Sequence, residues 1–153
     1  MILKNFNFKK IITWSLIVIL AVILELKLGL VFNYKFNFLL GALIAFACFV
    51  NYWELIFLNL VGIFLINWKP NLSLEIILLF LIPQFFYLFF KKVKWNNFLA
   101  LIFFLIFGNI LFYGIINYKF LFDYPFYFFY DFIVNSLFGL LSFYFLNFLK
   151  YER

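Results

Sequence analysis

FNFLLGALIAFACFVNYWELIFLNLVGIFLINW, residues 36–68, decides how this chain folds. The stretch is 33 residues long and carries one charge, Glu54. As one straight helix it would run about 50 Å, at about 1.5 Å per residue. A bilayer's hydrocarbon core is only about 30 Å thick. Fitting it in would take a tilt above about 50°, outside the range of roughly 0–40° that membrane helices adopt. The stretch therefore reads as two membrane helices folded back at Asn51-Tyr52-Trp53-Glu54. In that reading Glu54 sits in an interfacial turn; without the fold-back it would be buried.

Composition gives the same environment. Hydrophobic residues make up 69% of the 153 residues and charged residues 12%. A soluble domain has about 45–50% apolar and about 25% charged residues. Too little polar surface exists here to cover a water-soluble globule, so lipid must serve as much of the solvent. Phe alone is 29 residues. With abundant Ile, Asn, Lys and Tyr, this reads as AT-rich coding. Phe and Leu both partition favourably into the bilayer, so exchange between them costs little.

The expectation is an all-α polytopic membrane protein, one integral membrane domain over 1–153. Its six transmembrane helices fall at about 11–31, 34–50, 54–67, 74–90, 97–117 and 131–149. The first follows a basic start (Lys4, Lys9, Lys10) and is retained, because no small-x-small cleavage site follows its apolar run. Glu25 and Lys27 would snorkel at its outer end. Residues 67–71, NWKPN, form the clearest loop, with Ser73 capping the fourth helix and Glu75 in its first turn. The aromatic stretch 117–131, NYKFLFDYPFYFFYD, reads as interfacial, with a short helix lying in the headgroup layer.

Two helices carry small or polar faces. Gly41, Ala45 and Cys48 follow i, i+4, i+7 spacing, and so do Asn135, Gly139 and Ser142. Small residues let another backbone approach closely. Both faces are candidate helix contacts, within the chain first and with another protein second. Pro83-Gln84 sits mid-span in the fourth helix. Pro83 lacks a donor and frees the Leu79 carbonyl, which marks a candidate kink. Lys91, Lys92 and Lys94 form the densest basic cluster, a candidate for cytoplasmic partners or lipid headgroups.

The net charge is +6. The basic residues lie in short loops and at the ends, which points to topology and anionic lipid rather than nucleic acid. With six spans, eight Lys/Arg share the side of the two termini and four lie opposite. Eight against four places both termini in the cytoplasm. Five spans would give five against seven, the wrong way round.

Catalytic chemistry is not legible. The chain has no His, and its single Cys48 lies in an apolar run, so no intrachain disulfide forms. There is no G-x-S-x-G, H-E-x-x-H or Walker sequence. There is no Cys/His cluster for a metal and no cofactor pattern. The acids Glu25, Glu54, Glu75, Asp123, Asp131 and Glu152 each fall at or near a predicted helix end, so no proton or ion path is marked at the midplane. A non-enzymatic protein is expected.

The second and third spans, LLGALIAFACFVNYWELIFLNLVGIFLINW (residues 39–68), and the closing DFIVNSLFGLL (131–141) resemble the rod shape-determining protein MreD family. So does the layout of six short spans with both ends inside. Where that family shows a Gly-Leu-Leu-x-Asp-like element, this chain reads Asn59-Leu-Val-Gly62 and Asn67-Trp-Lys-Pro70. The resemblance implies a scaffold in the bacterial cytoplasmic (inner) membrane. Its partners would be membrane lipid and a bitopic MreC-like protein of the cell-wall elongation machinery. The layout is also similar to the substrate-binding S component of energy-coupling-factor vitamin transporters. Their first helix carries an Ala-x-x-x-Ala pair, whereas residues 11–32 hold only Ala21. A third reading is a small membrane assembly protein of another family.

Overall fold

Long apolar runs that hold no free water partner for their backbone must close their hydrogen bonds internally, and helices do so within one segment. A computed structural model describes the backbone of residues 8–32, 37–67, 73–93 and 96–151, and the side chains of 11–30, 37–67, 73–93 and 96–149. Seven helices occur among the described residues: α1 Phe8–Phe32, α2 Phe38–Ala47, α3 Tyr52–Ile66, α4 Leu74–Val93, α5 Asn97–Ile116, α6 Tyr118–Asp123 and α7 Pro125–Tyr151. No strand occurs among them. Lys94, the loop at 68–71 and the side chains of Lys4, Lys9, Lys10, Lys35, Lys150 and Arg153 lie outside the described residues.

Four helices, α1, α4, α5 and α7, are long and apolar enough to cross a membrane. Helices α2 and α3 are shorter, at 10 and 15 residues. The first and last helices outrun the expectation. In particular α7 begins at Pro125 rather than 131, because Pro fits a first helical position, where no N–H is needed. Only residues 118–123 of the aromatic stretch form a separate short helix, and it buries none of its residues.

Successive long helices run antiparallel. Trp14 meets Phe46 while Glu25 meets Leu39, which sets α1 against α2. Tyr52 meets Tyr87 and Asn59 meets Phe80, which sets α3 against α4. Phe98 meets Phe143 and Asn109 meets Asn135, which sets α5 against α7. The start of α1 and the end of α7 thus share one end of the bundle.

Helix α2 is the axis. All ten of its residues are buried, and α1, α3, α4, α5 and α7 all pack on it. It is only about 15 Å long. Its carboxyl end lies level with Trp14 and Phe143, six and eight residues inside the ends of α1 and α7. Its amino end lies level with Glu25 and Asp131, again six or seven residues inside. Each end of α2 is therefore recessed by about 9–12 Å. Irregular backbone is tolerated at such depth only where protein surrounds it. The turn after α2 meets that condition: Cys48, Phe49 and Val50 N–H groups bond back to the Ala45 and Phe46 carbonyls.

Five helices fit around one because α2 is thin. Gly41 faces Asn135 of α7, and Gly139 of α7 faces the Gly41 carbonyl and Leu105. The two small-residue faces read from the sequence are packed against each other or within the core, with Ala45, Cys48, Asn135 and Ser142 all buried. Outside, the helices present apolar stripes. On α3 these are Trp53, Phe57, Leu60 and Phe64; on α7, Ile133, Leu137, Leu141, Tyr144 and Phe148. Such exteriors suit lipid rather than water.

Candidate functional site

The amino end of α2 gathers the polar chemistry. Asn37 occupies the N-cap position, where an Asn side chain ordinarily accepts the N–H two or three residues on. Here it makes no such bond. The Leu39 N–H instead donates to Glu25 Oε2 of α1, at 3.2 Å. The Asn37 backbone N–H donates to Asp131 of α7. Two carboxylates from neighbouring helices thus take over the exposed N–H groups of a helix start, where the dipole also favours negative charge, by about 0.3–1 kcal/mol each. Tyr113 of α5 donates its hydroxyl hydrogen to Asp131 Oδ2.

The displaced cap is left over. Asn37 is 4% exposed, and neither its Nδ2 nor its Oδ1 has a hydrogen-bond partner. Burying an amide this way costs about 1–3 kcal/mol. It borders a cavity of about 210 Å³, lined by Glu25, Asn37, Ile66, Glu75, Ile76, Leu79, Phe112, Tyr113, Ile116, Asn117 and Phe120. The cavity lies at the end of the bundle away from the start of α1 and the end of α7. Two acids, two amides and a phenol line it, with aliphatic and aromatic walls and no Lys or Arg.

The acids depart from the sequence reading. Glu25 is 7% exposed and Glu54 2% exposed, and Asp131 is fully buried. Glu25 does not snorkel: α1 runs seven residues past it to Phe32, so it meets α2 rather than headgroups. The fold-back at 48–51 is present, yet Glu54 is buried within it rather than interfacial. The turn is recessed, and Glu54 Oε2 accepts the Asn51 N–H at 2.9 Å. Asp131 sits inside α7 and not at its start. Glu75 stays in the first turn of α4, half-buried, and borders the cavity.

The remaining candidates lie apart from this cavity. Asn135 Nδ2 donates to Asn109 Oδ1 at 2.5 Å, and Asn109 Nδ2 to the Leu105 carbonyl at 2.7 Å. This links α5 to α7 beside Gly41. Pro83 lies inside a continuous α4, and Gln84 is buried with an unpartnered amide. Asn59 Nδ2 donates to the Phe80 carbonyl at 3.0 Å, next to the carbonyl that Pro83 leaves without a donor. Lys91 and Lys92 lie exposed in the last turn of α4, with Lys91 Nζ 5.5 Å from the Tyr87 ring. No group of three metal-ligating side chains occurs among the described residues.

Sequence reasoning missed Asn37 and Tyr113, and gave Glu25 and Asp131 other roles. The available signals were an acid well inside an apolar run and an Asn directly before a short apolar helix. The fold and composition define an all-helical protein with several helices able to cross a membrane, consistent with a multi-pass membrane protein. No protein-family model matches the chain, and neither the curated proteins nor the solved structures give a match.

Proposed function

We propose that this chain is a non-enzymatic scaffold of the bacterial inner membrane. It crosses six times with both ends in the cytoplasm and acts in cell-wall elongation by contact with other membrane proteins, a bitopic MreC-like protein among them. The resemblance of residues 39–68 and 131–141 to the MreD family supports the reading, as does the excess of Lys/Arg on the side of the chain ends. Six crossings are compatible with a short α2 because protein encloses both its ends.

One observation carries the contact role. Residues 118–130 expose Tyr118, Phe122, Tyr124, Phe126, Tyr127, Phe129 and Tyr130 at the end of the bundle opposite the chain termini. Aromatic side chains are enriched at protein interfaces, where they supply large area at low entropic cost. A bitopic partner whose main domain lies outside the cytoplasm would meet this surface.

Photocrosslinkers placed at Phe126 and Phe129 in growing cells test the contact. Capture of a bitopic cell-wall elongation protein, together with rods that round up on depletion, is the expected result. Crosslinks to lipid alone, with rod shape unchanged, would end the proposal. Reporter fusions to the two chain ends test the topology separately: opposite locations would exclude an even number of crossings.

A further inference from the structure

We infer that the cavity at the amino end of α2 is a binding site for a small organic ammonium ion. This stands apart from the scaffold reading and survives its failure.

Three features set the ligand's chemistry. First, the polar lining accepts rather than donates. Glu25 and Glu75 border the space, Asp131 lies behind Tyr113, and no Lys or Arg is among the lining residues. A helix start ordinarily attracts anions. This one already has its Leu39 and Asn37 N–H groups on two carboxylates, so an anion would meet only repulsion. Second, the buried Asn37 amide has no partner in the protein and stands at the cavity wall. Its Oδ1 is an acceptor suited to one N–H of an ammonium, with the glutamates suited to the others. Third, Phe112, Tyr113 and Phe120 supply aromatic faces, which attract organic cations.

Size and surroundings narrow the class. A cavity of about 150 Å³ admits benzene, and this one is about 210 Å³. It therefore holds one ring, or a short alkyl chain, bearing a charged nitrogen. A bare metal ion fits poorly, because aromatic and aliphatic walls offer it too few oxygen ligands, and no three-residue metal group occurs among the described residues. The aliphatic walls, Ile66 and Leu79 among them, would take the ligand's apolar part.

The test uses the full-length chain in lipid nanodiscs, with empty discs as background. Benzylammonium is titrated beside its neutral and anionic counterparts, benzyl alcohol and benzoate. Saturable binding of the ammonium is expected, with the alcohol about tenfold weaker or worse and benzoate undetectable. Glu75→Gln, at a half-buried site near a helix start, should keep the fold by thermal denaturation and weaken the ammonium at least about tenfold. Asn37→Leu fills the wall and should weaken it as well. Equal binding of all three compounds, no saturable ammonium binding, or unchanged affinity in a folded Glu75→Gln protein would each overturn the assignment.

Discussion

Replacing Gly41 with alanine probes the closest approach in the bundle. A Cβ there would lie 2.6 Å from the Asn135 backbone carbonyl oxygen and against the Asn135 side chain. Backbone cannot rotate aside as a side-chain tip can, so α2 and α7 must separate. Overpacking of this kind costs about 1–3 kcal/mol. Moving Asn135 also breaks its bond to Asn109, and interhelical hydrogen bonds in membranes contribute about 0.6 kcal/mol, at most about 1.7. The expected loss is about 2–4 kcal/mol. Gly114 is the internal control, because a Cβ there has its nearest neighbour at 3.8 Å, Leu121 Cδ1. Gly114→Ala should be neutral or stabilise by up to about 1 kcal/mol, from helix propensity alone. Unfolding of both variants in mixed micelles, followed by the fluorescence of the buried Trp14, reads the difference. If Gly41→Ala is as stable as Gly114→Ala, the close α2–α7 crossing is wrong.

Four further outcomes are expected. In a double-mutant cycle with Asn109→Leu and Asn135→Leu, the single changes should cost more than the pair, with a coupling of about 0.6–1.7 kcal/mol; zero coupling would remove the α5–α7 bond. Glu54→Ala should destabilise by about 0.5–2 kcal/mol through loss of the Asn51 cap, as seen in unfolding curves, while Glu54→Gln keeps most of it. Cys48, buried between α2 and α3, should react with maleimide only after denaturation in SDS; fast labelling of the folded protein would place the turn at the surface. Charge reversal of Lys91, Lys92 and Lys94 should weaken attraction to anionic liposomes by about 1 kcal/mol per residue, and unchanged pelleting with vesicles would discard that role.

The sequence by itself determined the solvent and the helices. An apolar fraction of 69% with almost no charge inside the long runs leaves lipid as the surrounding medium, and backbone in lipid must be helical or closed into a barrel. It also placed the fold-back near Asn51, because a 33-residue run exceeds what one span can hold. The identities of the inward faces were likewise legible, since Gly41, Gly139 and Asn135 are unlike their lipid-facing neighbours. Only the tertiary structure decided the depth of each group. An acid near a predicted span end reads as interfacial in one dimension. In three dimensions α1 and α7 overshoot the short α2 at both ends, so Glu25, Glu54 and Asp131 end up buried against it. The same length mismatch leaves the start of α2 below the rim of the bundle, hands its N–H groups to carboxylates of other helices and strands the Asn37 amide beside a cavity. Helix lengths relative to one another, and so the site, come from packing between segments distant in the chain, which no local pattern of residues encodes.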